Sequence, residues 1–147
     1  MKNFFLALLL LCISSVAHSQ RSIDKKDIAK FEALVKKGDS LVQAGKTKES
    51  IAVYTEALKI RQNDHGVLYS RGTSYFAEKE YINSISDFTR LIEFGYGKAN
   101  EAYFIRGLGK TMLNDPKVDG CADLKEAKKL DYKFDWEMFR HLCTEME

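Results

Sequence analysis

The sequence predicts an all-α protein built from three stacked helical hairpins and a closing helix. Three observations carry that expectation. Apolar residues recur at helical spacing along the chain after residue 20. One proline and nine glycines in 147 residues leave few helix breakers. A pattern of small and large residues also repeats after 34 positions, and repeats of that length point to stacked supersecondary units.

The chain opens with Lys2, then an almost unbroken apolar run from Phe4 to Ile13, then small and polar residues from Ser14 to Ser19. Ala17-His18-Ser19 fits the small-x-small pattern before a cleavage point. Residues 1–19 are therefore expected to be a secretory signal peptide, cut between Ser19 and Gln20. The run is short of the ~20 residues that span a bilayer. An uncleaved anchor is the alternative. A lipoprotein start at Cys12 is disfavoured by Leu11, because a small residue is wanted there. The segment resembles exported proteins of Bacteroidetes-type bacteria, where glutamine often opens the mature chain. The expected location is the periplasm, the cell surface or the medium.

Cleavage removes Lys2 and lowers the formal charge of +2 by one. That excludes the strongly basic face of a nucleic-acid binder. The apolar content excludes a structureless chain. Residues 20–147 are enough for one domain.

Ile23, Ile28, Phe31, Leu34 and Val35 are helically spaced, so the first helix should begin near Asp24 or Asp27. The repeat is plainest when aligned on glycine. Around Gly38 stand Leu34, Leu41, Ser50, Tyr54 and Ala57. Around Gly72, at equal offsets, stand Leu68, Tyr75, Ser84, Phe88 and Leu91. The third copy centres on Gly107, with Tyr103 before it and Gly120, Leu124 and Ala127 one residue late. The late residue lies in Asn114-Asp115-Pro116-Lys117, where Asp115 and Pro116 read as N-cap and first residue of a helix. Lys110 takes a place that is apolar in the other copies. Asp135 to Met146 reads as a last helix with Trp136, Phe139, Cys143 and Met146 on one face. A terminal repeat needs such a cover.

This 34-residue pattern resembles the tetratricopeptide repeat, over about Phe31 to Asp131. The repeats would span about 31–64, 65–98 and 100–131, with the cap helix at about 135–146. The proline that usually closes the family's repeat is missing; Gln62 and Tyr96 stand there. The resemblance implies seven helices in a short right-handed α-solenoid. It also implies a concave groove lined by the first helix of each pair. Carried across, the groove should show Val35, Asp39 and Val42, then Tyr69, Ser70, Thr73 and Phe76, then Phe104, Ile105, Leu108 and Met112. Packing of helix on helix is the alternative reading for many of these residues.

The family's best-known use is a clamp of lysine, asparagine and arginine for a chaperone's carboxylate tail. Here those positions hold Val35, Asp39, Ser70, Glu101 and Ile105, so the clamp is absent and two replacements carry the opposite sign. The expected partner is instead an extended or helical protein segment, read through side-chain pockets.

No catalytic set is visible. His65 and His141 stand far apart with no metal spacing, and His18 leaves with the signal. Glu49, Glu56, Asp87, Glu93, Asp123 and Glu126 read as a solvated charged surface. No nucleophile motif or phosphate loop occurs, so no enzyme, metal or cofactor is expected. Cys121 and Cys143 remain after cleavage. In an exported protein they read as a disulfide or as two buried thiols. A disulfide there would contribute about 3 kcal/mol on the chain-entropy estimate. The function expected is a scaffold or interaction module. Self-association through the first helix and glycan binding on Tyr69, Phe76 and Phe104 are the alternatives.

Overall fold

The computed structural model describes residues 24–113, 115, 117–139 and 143. The expected signal peptide at residues 1–19, Ile23, Asn114, Pro116, His141 and Met146 lie outside the described residues. The side chains of Met138 and Phe139 are also not described.

Asp24 starts the first helix. Its backbone is extended and its carboxylate accepts from the Asp27 N–H at 2.7 Å, which satisfies an otherwise orphaned donor. Helix α1 runs Lys25–Gln43 and α2 runs Thr47–Ile60. Asp64 caps α3, His65–Ala77, by accepting from Val67 N–H at 3.1 Å. Then come α4, Tyr81–Glu93, α5, Ala99–Met112, and α6, Cys121–Lys129. A 3-10 turn, Trp136–Phe139, follows. All of the regular elements among the described residues are helical.

Four helix ends close in one way. Lys46 N–H donates to Leu41 C=O, Glu80 to Tyr75, Tyr96 to Leu91 and Tyr132 to Ala127, at 2.8 to 3.0 Å. Each bond spans a residue at positive φ: Gly45, Lys79, Gly95 and Asp131. That reversal satisfies terminal carbonyls and turns the chain sharply. It produces both the turn within a hairpin and the turn between hairpins.

Small residues set the distance between paired helices. A Cβ on Gly38 would sit 2.4 Å from the Tyr54 ring, on Gly72 2.9 Å from Phe88, and on Gly107 2.9 Å from Leu124. The glycine of each first helix thus receives the large residue of the second, at the offset the repeat prescribes. Around these contacts Tyr54, Ala57, Val67, Leu68, Phe88, Leu91 and Ala102 form one continuous core. Leu124, Ala127, Phe104 and Cys143 form a second cluster at the end of the array. Each hairpin packs on the next, α1 touches α3, and α3 touches α5. The first helices therefore lie side by side and share a face.

One expectation is corrected. Asp115 does not start a helix. Its carboxylate accepts from Lys117 N–H at 2.9 Å in a local turn, and α6 begins only at Cys121. The reason is steric. Gly120 is wedged against α5, where an added Cβ would lie 2.4 Å from Gly107 C=O and 2.5 Å from Thr111 Oγ1. The chain reaches that contact before helix begins, and Asp119 then accepts from Cys121 N–H at 2.7 Å. Of the expected cap helix at about 135–146, the described residues include the 3-10 turn Trp136–Phe139, and residues 140–142 and 144–146 lie outside the described residues.

Candidate partner-binding face

The groove residues expected from the repeat do not share one fate. Val42 is 42% exposed near the end of α1. Asp39 is exposed, and its carboxylate accepts from the Tyr54 hydroxyl at 2.7 Å. Burial first, then this bond and its charge, push the Tyr54 phenol well above its ordinary pKa. Val35 is half-buried against the core. Thr73 is half-buried, and its hydroxyl donates back to Tyr69 and Ser70 carbonyls in its own helix. Phe76 is half-buried with its ring 5.4 Å from Tyr81. Leu108 and Ile105 are half-buried beside the second cluster, and Met112 is exposed.

Phe104 is a correction. It is 5% exposed and belongs to the core. Tyr132 stacks on it at 4.5 Å, Phe134 lies at 4.8 Å, and Trp136 meets it edge-on at 5.9 Å. The rings of the segment after α6 therefore cover this position of the face. Tyr69 holds the equivalent place in the second repeat. Its ring meets Phe88 at 5.7 Å and Tyr96 at 6.0 Å. Burial first, then the Glu101 and tyrosine neighbours, push its phenol up to about 12.

Two carboxylates expected on the solvated surface are buried. Asp87 is 1% and Asp123 5% exposed. Arg71 from α3 grips Asp87 of α4 with two bonds, Nε at 2.8 Å and Nη2 at 2.7 Å, and reaches back to Thr55 of α2 at 3.1 Å. Arg106 repeats the arrangement with Asp123 at 2.7 and 2.7 Å and Thr89 at 3.2 Å. Lys110 adds a contact to Asp123 at 2.9 Å, which explains a lysine in an otherwise apolar place. Each guanidinium also lies over a tyrosine, Tyr75 and Tyr103. Burial alone would lower the Arg71 pKa, but the bonds and charge of Asp87 raise it above its ordinary value. The clamp ties each repeat to the one before it. In the first repeat Lys37 and Val53 occupy the corresponding positions. Sequence reasoning missed the clamp because it followed only apolar and small positions. The signal was there: Thr55 and Thr89, Arg71 and Arg106, Asp87 and Asp123 recur at near-constant spacing.

Beside the first clamp is a shallow depression of about 300 Å³ lined by Thr55, Leu58, Lys59, Gln62, Arg71 and Arg90. Its cations are already engaged: Arg71 with Asp87, Lys59 with Glu56, and Arg90 with the Gln62 carbonyl and Asn63. Among the described residues no group of histidine, cysteine and carboxylate side chains could hold a metal ion, and no helix is long and apolar enough to cross a membrane. The Cys121 and Cys143 sulfurs lie 1.96 Å apart and close a sequence separation of 22.

Among known protein families, the model described as TPR repeat matches residues 38–78, from the packing glycine of α1 to the end of α3. That match, on a stack of glycine-keyed helical hairpins, supports the tetratricopeptide-repeat family, whose repeats generally mediate protein–protein interaction.

Proposed function

We propose that this protein is a non-enzymatic interaction module that acts outside the cytoplasm and holds an extended or helical segment of a partner on the face formed by α1, α3 and α5. The observation that carries this reading is the division of labour on those helices. Leu68, Val67 and Ala102 fill the core completely, and the clamps join the repeats. Val42, Asp39, Phe76 and Met112 are then left with part of their surface open on or beside the shared face. An apolar face with a few polar groups suits a peptide read by side-chain pockets. The apolar leader and the cysteine pair support an exported, oxidised protein, in which Cys121 and Cys143 form a disulfide that ties the closing segment to α6.

The test is site-specific photo-crosslinking in the native host. A benzophenone amino acid at Val42 should capture a discrete partner, and the same group at Glu56, exposed on α2, should not. Phe76→Ala should reduce the Val42 crosslink without loss of helical signal. Equal crosslinking at both sites, or none at Val42, would remove the reading. Amino-terminal sequencing of the mature protein should begin at Gln20.

A further inference from the structure

We propose that the segment after α6 is an intramolecular occupant of the shared face, locked there by the Cys121–Cys143 disulfide, and that a dithiol reductant opens that end of the face to a partner. This rests on the interaction-face reading above and gives that face a regulator.

The chain leaves α6 at Leu130 and is tied back to the first residue of the same helix through Cys143. The stretch between is thus anchored at both ends, as a strap. From Tyr132 to Glu137 its residues alternate. Tyr132, Phe134 and Trp136 meet the Phe104 ring at 4.5, 4.8 and 5.9 Å, whereas Lys133, Asp135 and Glu137 are exposed. A period of two is the pattern of an extended segment with one side on an apolar surface. The strap is therefore a segment of the kind the face is proposed to hold, supplied by the chain itself. It covers Phe104, with Ile105 and Leu108 of α5 packed against the same cluster.

Apart from the disulfide the strap is lightly held. Among the described residues its last backbone bond to α6 is Tyr132 N–H to Ala127 C=O at 3.0 Å, and Asn100 Nδ2 reaches the Leu130 carbonyl at 3.4 Å. Phe134 is still 39% exposed. Segments with few backbone bonds and exposed rings open at lower cost than the helices beneath them. The cross-link opposes opening by keeping the rings at high effective concentration over Phe104. Cys143 is 3% exposed and Cys121 is half-buried, so a thiolate of the reductant meets the Cys121 sulfur first. Cys143 leaves as a thiolate and takes a proton. The reductant's second thiolate then displaces Cys121, so the reductant ends as a disulfide and the protein as two thiols.

The chain has one tryptophan, Trp136, so its fluorescence reports on the strap alone. In the mature protein, reduction verified by titration of both thiols should open Trp136 to acrylamide quenching and leave circular dichroism at 222 nm nearly unchanged. Cys121→Ser with Cys143→Ser should behave the same way without reductant. A fluorescein-labelled synthetic peptide of residues 130–138 should bind the reduced protein at least roughly tenfold tighter than the oxidised one. Equal quenching in the two states, a helical signal lost together with Trp136 protection, or equal peptide binding would overturn the proposal. The two readings fail separately. A Val42 crosslink with Trp136 equally protected in both states removes the strap and keeps the face. Release of Trp136 and capture of the peptide on reduction, without a Val42 crosslink, support the strap and remove the wider face.

Discussion

Replacing Asp87 by alanine tests the claim that buried clamps join the repeats. Asp87 is 1% exposed, and Arg71 retains only 13% side-chain exposure. Arginine does not lose its proton in a protein. Asp87→Ala therefore leaves a buried cation with the Thr55 hydroxyl as its acceptor among the described residues. Breaking one side of such a pair costs about 3–5 kcal/mol. Removing both charges behaves differently. In Arg71→Met with Asp87→Leu no charge is stranded, and Thr55 keeps its bond to Ile51 C=O at 2.7 Å. Replacement of a buried pair by apolar residues of similar volume is often neutral or stabilising. The double variant should thus lie within about 1 kcal/mol of the parent or above it, and the coupling between the two sites should offset nearly the whole single-site loss. Urea unfolding followed by circular dichroism at 222 nm measures all four corners of the cycle. The single variant should lose roughly 1–3 M in midpoint. Asp123→Ala should lose more than Asp87→Ala, because it strands Lys110 as well as Arg106. A single variant within 1 kcal/mol of the parent, or a double variant as unstable as the single, would refute the argument.

Three further outcomes are expected. Ser84→Ala should stabilise by about 1 kcal/mol in thermal melts, since its hydroxyl is buried with no partner among the described residues; the equivalent Ser50 meets Ser74 at 3.1 Å, but Gly109 stands where that second serine would be. Phe104→Ala should destabilise by about 3–5 kcal/mol as a core truncation, and Phe76→Ala by clearly less, in the same melts. Stability should fall as pH rises from about 10 toward 12. Folded Tyr69 keeps its proton up to about 12 while the unfolded chain releases it near 10, so the unfolded state holds fewer protons across that window. Equilibrium unfolding at stepped pH would show no such decline if the tyrosines around Glu101 were open to water.

The periodic features of the fold were legible in the chain. Gly38, Gly72 and Gly107, each with Tyr54, Phe88 or Leu124 at a set distance, specify where paired helices touch. One residue cannot be both small and filling, so the pairing leaves a readable trace. Apolar spacing placed the first helix start near Asp24 or Asp27, and Asp24 caps it by accepting from Asp27 N–H, a local bond that needs no tertiary partner. The tertiary structure decided what depended on neighbours distant in sequence. Asp87 and Asp123 look like any surface acid until an arginine from another helix arrives. Asp115 satisfies its own local turn, while Gly120, pressed on Gly107, decides where α6 begins. Phe104 occupies the same repeat position as Tyr69 yet becomes core, because Tyr132, Phe134 and Trp136 cover it. Tyr69 meets Tyr96 across two elements that no spacing connects. A repeated sequence determines contacts within and between equivalent units; only the assembled stack determines how its ends are covered, which charges are shielded from water, and which side chains are left open to a partner.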